Sequence, residues 1–210
     1  MPPKKKFSAE QIVEAAFHIA KSKGLDSVTI RNVADQLGSS IAPIYVNFTD
    51  VEELKRAVMK KINQLGLDIL KEQNTGSPFG DIGAASLQFA FEHPVLIRDL
   101  VMKPNDYLQD FDREMGAELV QQMKTDPELA GFGEEELTAI LFKMRAFQTG
   151  LTVLAVNGQL PSACDLKGMK DILNSAAEDV VLAARWRRQR DSEGSGHTQN
   201  EKSGGKRHES

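Results

Sequence analysis

Apolar residues recur along this chain at intervals of three and four, the period of helices packed on one side. Runs alternating apolar with polar residues are nearly missing. Ser8, with Gln11 three residues on, reads as a capping box. Ile12, Ala15, Ala16, Ile19 and Ala20 then stripe one face until Gly24 stops the helix. Thr29 caps a short second helix with Ile30, Val33, Ala34 and Leu37 inward, and Gly38 ends it. Ser40 caps a third through Ile44, Tyr45 and Phe48, with Pro43 near its start, where a missing N–H does least harm. Asp50 caps a longer fourth carrying Leu54, Val58, Ile62, Leu65 and Ile69. Beyond a break at 74–78, the pattern predicts helices over 79–92, from Pro94 towards Pro104, over 106–124, over 134–156 and over 162–186. The fold class is therefore all-α, about nine helices, with a short-helix head and a long-helix body. From Asp191 onward no apolar residue remains, so 191–210 is expected to be a disordered tail. The organisation expected is a basic arm at 1–7, a head at 8–52, a body at 53–190 and that tail.

Composition narrows the classes. At 210 residues with 40% hydrophobic content, the chain has material for one ordinary domain or two small ones. It has no uninterrupted apolar run of membrane-spanning length, and no apolar stretch behind the basic start MPPKKK. The lone Cys164 excludes an internal disulfide and a zinc site built on sulfur. A soluble, cytoplasmic chain is expected. Its net charge of −4 conceals a partition: residues 1–62 balance to +3, 63–184 to −10 and 185–210 to +3. A basic head on an acidic body suits a protein whose head alone meets a polyanion, although +3 is modest and a solvated helical surface can carry it. Catalytic signatures are missing: there is no G-x-S-x-G, no phosphate-binding G-x-x-x-x-G-K, no H-E-x-x-H and no G-x-G-x-x-G. His18, His93, His197 and His208 are scattered. No enzyme, cofactor or metal is expected.

The informative segment is TIRNVADQLGSSIAPIYVNF, residues 29–48. Two helices that cross tightly need a small residue at their contact (Ala34), a residue tolerant of positive φ at the turn (Gly38), and an apolar residue returning to the core (Ile44). A Ser at the start of the second of them leaves backbone N–H groups pointing outward towards a phosphate. A generic helical hairpin shares some of these features. The set of features in twenty residues, between capped helices, points to a DNA-binding helix-turn-helix.

With its Gly24 stop, Thr29 cap, Ala34, Gly38, Ile44-Tyr45, Phe48 and the acidic opening of the fourth helix, the chain resembles the TetR family of one-component transcriptional regulators. The resemblance rests on motif over residues 8 to about 60 and on architecture beyond. It implies a homodimer whose third helix enters the major groove of a double-stranded operator. It implies phosphate contacts by Thr29 and Tyr45 and a base or phosphate contact by Arg31. Ser39, Ser40, Ile41, Ala42 and Pro43 would face the groove, with Asn47 at its edge. The chain departs from the family pattern at Ile41, where many members carry Lys, at Pro43, where they carry a small or hydroxyl residue, and at Val51, where Lys is frequent. Contacts with thymine methyls and shape readout are expected to carry the specificity. The arm Lys4, Lys5 and Lys6 either lies along the backbone or minor groove, or only solubilises the terminus.

The resemblance also implies pairing of the last two long helices with those of a second copy, through residues about 134–186. Ala139, Met144, Leu151, Leu154, Ala155, Leu173, Ala176, Ala177, Val180 and Ala184 are candidates for that surface or for the core. An effector cavity is implied between the fourth and eighth helices, with Phe89, His93, Met102, Tyr107, Phe111, Met115, Phe142 and Phe147 as lining candidates. The effector is an unidentified small molecule, of lipophilic or cationic lean. The reading is a ligand-released repressor on a palindromic operator. The alternative is a helical protein–protein adaptor that has lost DNA binding.

Overall fold

Side-chain caps set where most of the helices begin. The structure is a computed structural model that describes residues 7–102, 107–161 and 164–200, with side chains described over 7–101, 115–161 and 164–191. Helix α1 (Ala9–Lys23) starts on the expected capping box: Gln11 N–H donates to Ser8 Oγ at 3.2 Å and Ser8 N–H donates to Gln11 Oε1 at 2.9 Å. Gly24, at φ 91°, ends it. Thr29 Oγ1 accepts the Asn32 N–H at 3.1 Å and opens α2 (Ile30–Gln36). Asp50 Oδ1 accepts the Glu53 N–H at 2.8 Å and opens α4 (Val51–Glu72). The helices α5 (Pro78–Glu92), α6 (Pro94–Met102), α7 (Tyr107–Met123) and α8 (Glu134–Val156) follow, then α9 (Leu166–Asn200). Among the described residues the chain is all-α, with no strand.

Two expectations fail. Helix α3 spans Ala42–Tyr45, and Ser40 does not cap it; Ile41 holds the N-cap position without a side-chain bond. Capping from Ser40 would need an N–H two or three residues into the helix, and the third is Pro43, which has none. Helix α9 runs on through Asn200, so 191–200 is not disordered as expected; 201–210 lie outside the described residues.

Ile12, Ala16, Val33, Ala34, Ile44 and Leu54 form the centre of the head, and Leu96 and Leu100 of α6 pack into the same core. The first half of α4 belongs to that core through Leu54, Val58 and Ile62, while Ile69 and Leu70 at its far end join the body. So α4 and α6 are each shared by head and body. In the body, α5, α7, α8 and α9 close on two further clusters, one around Met123, Leu137 and Ile140 and one around Leu87, Met169 and Leu173. Among the described residues α8 is the helix long and apolar enough to cross a membrane by length and composition, with a mean hydropathy of 1.3 in its most apolar window, of which 22% is buried. Its outer face explains the combination, as the surface of the body shows.

Candidate nucleic-acid interface and ligand cavity

The turn between α2 and α3 closes on Gly38, at φ 59°, whose N–H donates to Asp35 O at 3.1 Å, while Ser39 N–H donates to Ala34 O at 2.9 Å. Ile44 is driven into the core, and this presents the opposite side of α3 outward. Ser40, Ile41, Ala42 and Tyr45 are exposed there, with Ile41 at 48% and Tyr45 at 53%. Val46, 58% exposed and one turn after Ala42, extends the face and was not anticipated. Its signal in the sequence is the four-residue step from Ala42 to Val46 on the side away from Ile44. Pro43 is half-buried.

Thr29 and Arg31 are exposed at the start of α2. The Thr29 oxygen accepts the capping bond, which leaves its O–H proton available to a phosphate. Two of the expected groove residues differ from the exposed ones in their surroundings. Ser39 is half-buried and its hydroxyl is enclosed with no hydrogen-bond partner. Asn47 Nδ2 donates to Pro43 O at 2.9 Å and to Phe7 O at 3.4 Å. It therefore ties the root of the N-terminal arm to the end of α3. Lys4, Lys5 and Lys6 lie outside the described residues.

The body holds a cavity of about 410 Å³ between α4, α5, α6, α7, α8 and α9. Of the expected lining residues, Phe89 and Met115 line it. His93 does not. It is buried at the end of α5 with its ring edge-on to Phe89, 5.1 Å between centroids. Burial, reinforced by the nearby Lys21 charge, holds its pKa below the usual imidazole value. Phe142 and Phe147 do not line the cavity either; they are 70% and 40% exposed. The register of α8 explains this. Leu141, Met144, Gln148 and Thr152 face the cavity at steps of three and four, and Phe142 and Phe147 stand one residue off that line, about 100° round the helix. Met102, Tyr107 and Phe111 have side chains outside the described residues.

The surface expected to pair with a second copy is also redistributed. Met144, Leu151 and Leu173 are buried in the core, and Ala155, Ala176, Ala177 and Val180 pack partly against it. Among the described residues, the exposed large apolar positions are Phe142, Phe147, Leu154 and Val156 on α8 and Ile172, Leu182 and Trp186 on α9. Among the described residues no group of His, Cys, Asp or Glu is placed to hold a metal ion.

Comparisons with known proteins agree with this architecture. No protein-family model matches the chain. An uncharacterised HTH-type transcriptional regulator of Mycobacterium tuberculosis is 31% identical over 93 residues, which cover 42% of this chain and 43% of that protein, so the chain matches less than half the length of this curated relative. A transcriptional regulator from Rhodococcus sp. Rha1 superposes with a TM-score of 0.64 at 19% identity, covering 84% of this chain and 97% of that one. A TetR transcription regulator from Haloarcula marismortui does so with a TM-score of 0.59 at 16% identity, covering 83% and 96%. The fold of this chain is that of the TetR-family transcriptional regulators.

Proposed function

We propose that the protein is a homodimeric, sequence-specific DNA-binding transcriptional regulator of the cytoplasm, a repressor released from a palindromic operator by a small molecule. The observation that carries the reading is the outward side of the helix-turn-helix. Core-bound Ile44 holds α3 so that Ile41, Ala42, Tyr45 and Val46 project together, flanked by Thr29 and Arg31. Apolar groups on that face suit thymine methyls in the major groove, and the two hydroxyls and the guanidinium suit backbone phosphates.

The second copy is supported by α8 and α9. Ala146 and Gly150 lie between exposed Phe142 and Leu154, and nothing among the described residues comes within 4 Å of where a Gly150 Cβ would sit. Small residues between large apolar ones let another helix approach closely, and a helix as apolar as α8 needs such a cover. Release is supported by the sharing of α4 and α6. A molecule that changes the cavity wall moves helices that also form the head core, and through them the spacing of two heads on DNA.

Selection of bound duplexes from a random pool at near-physiological salt tests this. An inverted repeat, with two half-sites about one helical turn apart, is expected. The adaptor reading draws on the same face, since Ile41, Ala42, Tyr45 and Val46 include no charged residue. It predicts recovery of no motif and a protein partner whose binding Tyr45→Ala weakens.

A further inference from the structure

Helix α8 sets polar side chains into the cavity wall beside its apolar ones. Arg145, Gln148, Thr149 and Thr152 line the cavity together with Leu141 and Met144; Arg145 is exposed, Gln148 and Thr149 are half-buried and Thr152 is buried. The helix otherwise buries Leu137, Ile140 and Leu151.

Asn174 of α9 extends this polar set across the same wall. Gln148, Thr149, Thr152 and Asn174 make no side-chain hydrogen bond to a described residue, and Thr152 is only 6% exposed. The Thr152 hydroxyl is not among the enclosed, unpartnered polar atoms; it opens onto the cavity, where a ligand oxygen can reach it. The facing wall is apolar but for Ser86 of α5, and is built from Ile62 and Leu67 of α4, Phe89 of α5, Ile97 of α6 and Met115 of α7. Among the described residues no carboxylate lines the cavity, and its one charged lining residue is Arg145, which already has an interaction of its own. The polar wall therefore offers amide and hydroxyl donors beside a positive charge, and no counter-charge for a cation.

We propose that this cavity takes an amphipathic molecule whose apolar body lies against α4–α7 and whose oxygen head group is received by Gln148, Thr149, Thr152 and Asn174. The head is a hydroxyl, a carbonyl or a carboxylate; ammonium heads are excluded. The assignment rests on the effector reading above and names its ligand class. A cavity of about 410 Å³ falls within the range of about 300–1,000 Å³ usual for small-molecule sites.

The test is calorimetric titration of the full chain, without DNA, by decan-1-ol, decanoate and decylammonium at one ionic strength. The alcohol and the acid are expected to bind roughly tenfold or more tighter than the amine, and their relative order separates a neutral head from an anionic one. The double variant Thr149→Val, Thr152→Val, which keeps side-chain shape without hydroxyls, is expected to weaken the alcohol and the acid about tenfold, with the melting temperature held or raised. Gly116→Leu is expected to abolish binding, because nothing among the described residues lies within 4 Å of its Cβ position and the new side chain enters the cavity. Equal binding of the three heads, binding of none, or a double variant that binds like the wild type overturns the proposal. Duplex selection with ligand-free protein reports separately on the regulator. An inverted repeat recovered beside a failed titration leaves that reading standing and removes only the ligand class.

Discussion

The buried carboxylate of Asp99, on α6, accepts the backbone N–H of Leu25 at 2.7 Å, across 74 positions of the chain. Leu25 follows Gly24, the left-handed stop of α1, and a Cβ at Gly24 would fall 2.2 Å from Asp99 Oδ2. The close approach thus depends on glycine twice, for its φ of 91° and for its missing side chain. Within α6, Ile97, Leu100 and Val101 line the cavity while Asp99 holds the end of α1, so this bond joins cavity wall to head.

Asp99→Ala leaves the Leu25 N–H buried and unpaired, at a cost of about 1–3 kcal/mol. For a chain of this size each kcal/mol corresponds to roughly 2–4 °C in melting temperature. Asp99→Asn retains an acceptor oxygen and is expected to lose less than half as much. Gly24→Ala is expected to destabilise at least as strongly as Asp99→Ala. Thermal melts of the three variants decide the matter, and an Asp99→Ala protein that melts with the wild type would show that the bond contributes nothing.

On the DNA face, Tyr45→Phe removes only a hydroxyl from an exposed ring. The melting temperature should hold, and affinity for the selected operator should fall roughly fivefold to tenfold, the loss of one phosphate hydrogen bond. Thr29→Val removes the proposed phosphate contact and the α2 cap together, so it should also cost about 1 kcal/mol of stability. Arg31→Ala should flatten the dependence of log affinity on log salt by about one. Mobility-shift titrations at several salt concentrations read all three. A Tyr45→Phe protein with wild-type affinity would remove the tyrosine from the contact set.

Much of this architecture is legible in the sequence because it is locally encoded. Ser8, Thr29 and Asp50 cap the helices expected of them, and Gly24 and Gly38 stop the chain at the angles only glycine takes easily. The outward residues of α3 follow from Ile44 being the one that turns inward. What was not legible depends on register across helices. Phe142 and Phe147 are as apolar as any cavity residue, and only the rotation of α8 against α5 and α9 turns them outward. The polar residues of α8 look like an ordinary solvated face, and only the fold shows that Gln148, Thr149 and Thr152 line a cavity. The sequence puts Asn47 at the edge of the groove, and nothing in the spacing of residues 7 and 47 foretells its bond to Phe7 O.

Phe142 and Leu182 are 70% and 68% exposed on the outer faces of α8 and α9. If two copies meet there, a carboxylate at either position is buried without a partner. Phe142→Glu and Leu182→Glu should each raise the dimer dissociation constant by at least roughly tenfold, and the pair together should give monomer at micromolar concentration. Each variant should keep its monomer fold, because neither side chain belongs to the core. Operator affinity should fall with the dimer, since one head holds one half-site. Sedimentation of the wild type as a monomer at that concentration would remove the homodimer.

His93 sets a pH dependence of stability with a definite sign. Burial, then the charge of Lys21, lowers its folded pKa below the usual 6.5, against a weaker opposing pull from Glu92, and its Nδ1 has no hydrogen-bond partner. Above 6.5 the imidazole is neutral in both folded and unfolded chains, and pH changes nothing through this residue. As pH falls below 6.5 the unfolded chain takes up the proton first. The unfolded state then binds more protons than the native one, and stability declines until the folded pKa is passed. Removing the imidazole removes that loss. Between about pH 7.5 and 5.5 the wild-type melting temperature is expected to fall further than that of His93→Gln, which is less stable at neutral pH but flatter across the window. Because the ring packs on Phe89 next to α6, acid should weaken the head–body junction before it weakens the body clusters. Hydrogen-exchange protection, corrected for the slower intrinsic exchange at pH 5.5, is therefore expected to fall first at Leu25–Val28 and the start of α6. Parallel melting curves for the two proteins across the window would show that His93 exchanges its proton freely in the native state.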